Sequence, residues 1–500
     1  TKLAKETRGG TILQLSAYAE LLAGMQGVAP EAFHVVTSAG EQAAARGTGS
    51  GASTGALADA PFVVHSYRVA DYAAYYRRVK GQLLATLADG HEAVVGRTYP
   101  EPVEACELCR WWTRCNGRRR KDDHLSFIAG IARAHRREFE AQGAPTLAAA
   151  AALPHPLPFV PTRGSQETYE RLRDQARLQH QQRTSRQPVH ELLPIEPSQG
   201  LCRLPEPSPG DLFLDLEGAA YAREGGREYL FGLWLSGAYQ RWWAHDDHEE
   251  QRAFEQVMDL VEARWAAHPG MHVYHYAPYE PTAFKRLMGR HASRADLLDR
   301  LLRAERFVDL LAVVRQSVRA GVESYSIKQL EQYYGFARDV PLTDARVHLQ
   351  TFELALESHA ALAVPTETRE AVEGYNKDDC RSTEALRDWL EGLRAEAVAG
   401  GADVPRPESK PPEPPKDVGE LEARQTAARE RLLDGLAPEA TAPEHPQHPQ
   451  WLLAYLLDWH RREEKVAWWE HFRLAALPAD DLFDEQHGVG GLEFVARVEV

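Results

Sequence analysis

Residues 211–218 read DLFLDLEG, and the fold of the chain turns on how that stretch is read. In a strand, successive side chains face opposite sides, so Leu214 and Leu216 point one way while Asp215 and Glu217 emerge together on the other. Two carboxylates side by side on an apolar strand repel each other, and alone they mark only a strand end reaching solvent. Around them, short apolar runs alternate with helical stretches: YLFGLWLSG at 229–237, MHVYHYA at 271–277, then amphipathic helices to about Glu396. That alternation predicts an α/β domain.

A partner for the two acids lies downstream, in AVEGYNKDDCRSTEAL at 371–386. Tyr375 and Asp379 are four residues apart in a helical stretch and share one face. Laid against the strand, that face meets Asp215 and Glu217. Three or four convergent carboxylates suit phosphodiester hydrolysis, in which two divalent ions about 4 Å apart neutralise charge, activate water and stabilise the leaving oxygen. Mg²⁺ and Mn²⁺ are hard ions that prefer such oxygen ligands. Tyr375 is placed to orient the attacking water, Asp309 reads equally as an extra acid or a helix cap, and Asp378 reads as a solvated helix position.

Taken in order, Asp215 with Glu217, YHYAPYE at 274–280 and YNKDD at 375–379 resemble the three motifs of the DEDD exonucleases, Tyr subclass, of the ribonuclease-H-like fold. FVDLLAVVRQ (307–316) and ESYSIKQLEQYYG (323–335) resemble the Asp-Leu strand and Tyr-Ser-x-Lys helix of a bacterial subfamily often fused to RecB-type nucleases. The resemblance implies a 3′–5′ exonuclease acting on single-stranded nucleic acid, DNA favoured over RNA, in DNA repair or processing. It also implies two Mg²⁺ or Mn²⁺ ions held by Asp215, Glu217, Glu280 and Asp379, with Tyr375 catalytic. One departure stands out: the second motif usually has Asn followed five residues later by Asp, whereas this chain has His275 and Glu280.

A second constellation is C-x2-C-x5-C, Cys106, Cys109 and Cys115 within EACELCRWWTRCNGRRRK at 104–121. Thiolates at this spacing fold around a metal or a cluster. Zinc needs a fourth ligand, for which His124 is available; a [4Fe–4S] cluster needs a fourth Cys, and neither Cys202 nor Cys380 is well placed. The trio followed by basic residues is similar to the C-terminal cysteines of iron–sulfur PD-(D/E)XK nucleases, which implies the cluster as cofactor with zinc as the alternative. TKLAKETRGGTILQLSAYAELL at 1–22 resembles the tail of the same nuclease core, with Lys2 matching the motif lysine and Gln14 and Tyr18 the Gln-x-x-x-Tyr helix. The acids that precede such a lysine are absent here, so that site is expected to be inactive. The family is usually followed by a superfamily 1 helicase, the expected partner within a longer polypeptide.

Composition bounds the rest. Acids outnumber bases by 73 to 58 over 500 residues, a net charge of −15 that excludes a uniformly basic nucleic-acid sleeve. Arg110–Arg137 nevertheless holds nine Lys or Arg against two Asp. Arg110, Arg114, Arg118, Arg119, Arg120 and Lys121 are therefore the candidate phosphate contacts, with Trp111 and Trp112 for base stacking. Five cysteines fit a reducing, cytoplasmic compartment rather than a secreted disulfide framework. No run approaches the ~18 apolar residues of a membrane helix. The chain opens without Met or a charged-then-apolar leader and closes on GLEFVARVEV (491–500), and so reads as a piece of a longer protein.

The expected class is thus multidomain α/β: a ribonuclease-H-like mixed sheet with flanking helices plus a partial PD-(D/E)XK nuclease module. Residues 1–125 are assigned to the partial RecB-type module, 126–207 to a helical and Pro-rich connector and 208–396 to the exonuclease domain. A Pro-rich linker (397–446) and the start of a following domain (447–500) complete the chain. Within the first segment, Leu13, Leu15, Tyr18, Leu21 and Leu22 mark one amphipathic helix; 38–60 reads as a flexible loop, and the chain turns helical after Asp71. A catalytically degenerate docking module serving a helicase is the alternative function.

Overall fold

The computed structural model of the chain describes residues 2–4, 7–38, 54–55, 62–88, 90–103, 105–106, 109–223, 225–413, 416–457, 459–475, 477, 482 and 488. Two compact units emerge, one of Thr1–Cys115, Gly218–Arg227 and Thr351–Val364, the other of Asn116–Glu217, Glu228–Gln350 and Pro365–Val500.

In the first unit, β1 (Lys2–Ala4) and β2 (Ala32–Ser38) pair in parallel across the helix Gly9–Gln26. β3 (Thr54–Gly55) and β4 (Phe62–Arg68) complete a sheet of order β1-β2-β4-β3. The crossover helix stops at Gly27, whose φ of 72° is the left-handed cap that glycine adopts without penalty. Ile12, Leu15, Phe33 and Val35 form the small core, with Tyr67, Val69 and Tyr72 packed on it. The buried helix face is Thr11, Ile12, Leu15, Ser16 and Ala19; Tyr18, Leu21 and Leu22 lie exposed, so the expected leucine stripe is off by part of a turn. Strand β4 hands over directly to a helix at Val69–Ala88, so the helix begins before Asp71, which lies in its first turn and pairs with Arg68 at 2.7 Å. Thr54 and Gly55 belong to a strand rather than a loop; the rest of 39–60 lies outside the described residues.

The second unit centres on five strands in the order β10-β9-β6-β7-β8: β6 (Leu212–Ala219), β7 (Arg227–Leu235), β8 (Ala238–Trp243), β9 (Val273–His275) and β10 (Phe307–Asp309). β6, β9 and β10 run parallel, and β7 and β8 form an antiparallel pair. A minor antiparallel pair joins β5 (His190–Leu192) to β11 (Val318–Ala320). Alternation along β6 sorts the two helical layers. Leu212, Leu214 and Leu216 enter one core with Phe254, Val257 and Met258 of the helix Asp247–Ala267 and Phe284 and Leu287 of the helix Tyr279–His291. Phe213 enters the opposite core with Leu386, Leu390 and Leu393 of the helix Thr366–Ala399. The acids of β6 share the parity of Phe213, which puts them under that long helix.

Two expected spacers are instead built in. Ile128, Phe139, Leu147, Tyr169 and Leu172 of 126–207, with Leu125 just ahead of them, make a third core, and Gln175 of the helix Gln166–Ser185 donates to the Ala320 carbonyl at 2.8 Å. Past the long helix, Val404 is buried in the core and Arg406 pairs with Glu391 at 2.5 Å, so the linker's first residues are docked. The remainder forms helices at Lys416–Leu433, His448–Leu456 and Trp459–Ala475, and the Trp451 and Tyr455 rings meet at 4.9 Å. GLEFVARVEV lies outside the described residues. No described helix is long and apolar enough to cross a membrane.

Candidate metal centre

The parallel strands deliver their acids to one end of the sheet. Phe213 is level with Tyr274 of β9, and one residue on, His275 is level with Asp309 of β10. Asp215 and Glu217 follow Phe213, toward the carboxyl ends where open parallel sheets leave a crevice for ligands. The long helix crosses there with Asp379 two turns before Leu386. One carboxylate oxygen from each of Asp215, Glu217 and Asp379 lies within 4.8 Å of the others. Asp379 is buried and the other two half-buried.

Asn376 holds this group together and was not singled out in the sequence. It is fully buried, and its Nδ2 donates to the Asp215 carboxylate at 2.7 Å and to the Asp215 carbonyl at 3.2 Å. Tyr239 OH donates to its Oδ1 at 2.7 Å. The amide reaches the sheet because β7 has Gly232 beneath it; a Cβ there would overlap Asn376 Oδ1. Asn376 lies one helical turn before Asp379 in YNKDD, so the same helix face carries both, and that spacing was the available signal.

Residues 212–391 match the RNase_H_2 family model, of the RNase_H superfamily. No curated protein and no solved structure matches the chain significantly. The match spans the five-stranded sheet and most of the long helix, so the acidic trio sits inside an RNase H-like domain.

Electrostatics of this RNase H-like centre follow from crowding. Burial, then the charge of Asp379, pushes the Asp215 carboxyl well above its ordinary value; burial, then Asp215 and Asp379, does the same to Glu217. Asp379 is met by two cations: Lys328 Nζ donates to Oδ2 at 2.8 Å and Arg338 to Oδ1 at 2.6 Å. Burial opposes the Lys328 charge, but Asp379, Tyr375 and Asp215 outweigh it and hold the ammonium charged above its usual range. Both cations also face the Tyr375 ring, at 5.0 and 5.6 Å from its centroid. Burial, then Asp379, pushes the Tyr375 phenol up to about 12. Asp378 is not solvated: it is fully buried and accepts the Asp339 and Val340 amides at 2.8 and 3.0 Å, anchoring the loop that carries Arg338.

The second motif departs from the expected ligand set. Glu280 lies in the first turn of the helix Tyr279–His291, is 3% exposed, and is not a member of the group gathered within 4.8 Å. Among the described residues its Oε2 has no hydrogen-bond partner; it lies 3.6 Å from His275 Nδ1, which is itself engaged with the Ala277 carbonyl at 2.6 Å. Burial, then Asp215, raises the Glu280 carboxyl well above its usual value. Asp309 is a helix cap, accepting from Leu311 N at 2.9 Å, and it also holds the Ala277 amide at 3.0 Å.

Hard carboxylate oxygens at this separation fit a divalent cation of the magnesium class, with Asp215, Glu217 and Asp379 as its holders. The other sequence candidates fare unevenly. Cys106, Cys109 and Cys115 do not bring their sulfurs into a metal-sized group among the described residues. Cys202 and Cys380 are sealed in cores, and His124 Nδ1 accepts the Ser126 amide. Arg119 is buried and so faces no phosphate, and Arg120 is locked to Glu323 at 2.5 and 2.6 Å. Arg110, Arg114, Arg118 and Lys121 are exposed, with Arg118 3.5 Å from Asp122. Gln14 donates to Tyr18 OH at 2.8 Å on the exposed helix face, while the Lys2 side chain lies outside the described residues.

Proposed function

We propose that the RNase H-like domain is a metal-dependent nuclease of DEDD type, a 3′–5′ exonuclease hydrolysing single-stranded nucleic acid, with DNA favoured. The observation that carries this reading is the convergence of Asp215, Glu217 and Asp379 from two sequence-distant elements, with no ion pair to Asp215 or Glu217 among the described residues comparable to those on Asp379. A bound divalent ion would neutralise the scissile phosphate and activate the attacking water. Asn376 orients the Asp215 carboxylate. Tyr375, kept protonated at neutral pH, positions water by hydrogen bonding and does not act as the base. Water adds to phosphorus as the P–O3′ bond breaks; the water gives up a proton to solvent and the departing O3′ takes one from solvent, leaving a 5′-phosphate and a 3′-hydroxyl.

Purified protein with Mn²⁺ and end-labelled single-stranded DNA tests this directly, with Asp215→Ala as comparison. Shortening of the labelled strand by the wild type alone supports the proposal; equal inactivity with retained binding favours the degenerate docking module. The position of Glu280 outside the trio is what keeps that second reading in play. Cys106, Cys109 and Cys115, whose sulfurs stand apart in this structure, would have to close together on taking up a [4Fe–4S] cluster or zinc, and the absorbance spectrum of anaerobically purified protein separates the two.

A further inference from the structure

Arg186 stands where a helix usually ends in glycine. The helix Gln166–Ser185 stops at Arg186 with a φ of 56° and a ψ of 27°, a left-handed conformation that a Cβ opposes. From there the chain turns through Gln187 and Pro188 into β5, whose partner β11 leads on through Val322 to the helix Ile327–Tyr334. These segments enclose a cavity of about 370 Å³, lined by Arg183, Arg186 and Gln187 from the first and Glu323, Gln329 and Gln332 from the second. The arginine side of it lies outside the RNase H-like match at 212–391. Its walls are fixed: Gln182 Oε1 accepts the Val189 amide at 2.8 Å and the Tyr333 hydroxyl at 2.7 Å, and Gln329 Oε1 accepts the amides of Glu323 and Ser324, each at 3.1 Å.

The acids at the cavity are already answered. Glu323 accepts Arg120 at 2.5 and 2.6 Å and Arg183 at 2.9 Å, and Arg183 also meets Asp123 at 2.8 Å. Arg186 is left exposed, with no ion pair among the described residues, and Gln329 Nε2 has no acceptor among them either. A guanidinium fork and a free amide donor at one cavity suit a phosphate, which accepts through several oxygens. Lys328, one residue ahead of Gln329, reaches Asp379 at 2.8 Å. The cavity and the acidic centre are thus about one helix width apart, ~10–12 Å, or roughly three stacked nucleotides. We infer that this cavity holds the phosphate backbone of single-stranded nucleic acid on the 5′ side of the scissile bond, with Arg186 as the charged contact and Gln329 as a neutral one. The inference rests on the nuclease reading above. The strained turn is retained because it brings Arg186 to the cavity.

The test is binding of fluorescently labelled single-stranded DNA to the full chain, read by anisotropy across a NaCl series with EDTA present to prevent hydrolysis. Arg186→Gln should weaken binding at least about threefold and reduce the slope of log affinity against log salt by about 0.7, the share of one phosphate contact. Arg186→Gly removes the same charge but suits the left-handed turn, so it should bind as weakly as Arg186→Gln while melting no lower than the wild type. Arg186→Lys should keep the wild-type slope. Unchanged affinity and slope in Arg186→Gln, or weaker binding only where the melting temperature also drops, overturns the inference. Displacement of the strand by inorganic phosphate beyond the effect of chloride at equal ionic strength marks a small-anion site and overturns it as well. Hydrolysis in Mn²⁺ is read separately. A wild type that binds in this way but leaves the strand intact removes the nuclease reading and keeps the cavity as a strand site; hydrolysis with unaltered binding by the variants removes the cavity alone.

Discussion

Strand β6, with Asp211 just ahead of it, and the long helix meet at two rungs, and the two are built oppositely. At the first, Asp211 accepts Arg387 at 2.8 Å and the amides of Ser208 and His272, each at 2.9 Å. At the second, Asp215 faces Asp379, another acid. Four residues of strand, about 13 Å, and eight of helix, about 12 Å, separate the rungs, so the two elements run antiparallel in step. Phe213 lies between, with the Arg387 guanidinium 4.9 Å from its ring centroid. The lesson is chemical: a buried acid that serves the fold has its cation and amides supplied by the chain, whereas acids crowded together beyond what the neighbouring cations balance are a seat for a cation from outside.

The sharpest way to break the comparison is at the second rung. Glu217→Gln should cut hydrolysis by about 10³-fold or more, as expected for loss of an ion-holding carboxylate. It should also stabilise the ion-free protein, because it relieves repulsion; activity and urea unfolding together check both signs. At the first rung, Arg387→Met strands Asp211 without a cation and should cost about 3–5 kcal/mol in urea unfolding. Mn²⁺ affinity should barely move; a parallel loss of affinity would show that the rungs are not separable. Gly232→Ala drives a methyl into Asn376 and should cost about 1–3 kcal/mol, with weaker Mn²⁺ binding because Asp215 loses its amide.

The smallest expected effect is pH dependence. Folded-state values for Asp215 and Glu217 are raised, so the folded ion-free protein holds more protons than the unfolded chain above about pH 4. Stability should therefore fall as pH rises from about 4 through the raised folded values. Thermal melts across pH 5–8 should show this slope without divalent ion and a flatter one with Mn²⁺. A rise of ion-free stability with pH would contradict the crowding described.

How much was legible beforehand differs by residue. Asp215 with Glu217 and Tyr375 with Asp379 were readable because strand and helix periodicities place same-face residues by counting alone. The cap role of Asp309 was visible as one of two options, since an Asp ahead of an apolar helical run suits a helix start. Asp378 was misread because adjacent helix positions differ by about 100°, and nothing local shows that a loop 39 residues earlier folds over that face to donate its amides. The connector at 126–207 was misread for a related reason: its Pro-rich stretches mask a core that closes only when Tyr169 and Leu172 return onto Leu125 and Phe139.

The sequence by itself determined the alternation that makes an α/β sheet and the parity that puts Asp215 with Glu217 on one strand face and Tyr375 with Asp379 on one helix face, because both depend on local backbone repeat. Only the tertiary structure decided that Asn376 reaches over Gly232, that Lys328 and Arg338 reach Asp379, and that Glu280 stays outside the trio. Those outcomes depend on where separately folded elements come to rest, and no short-range repeat carries that distance.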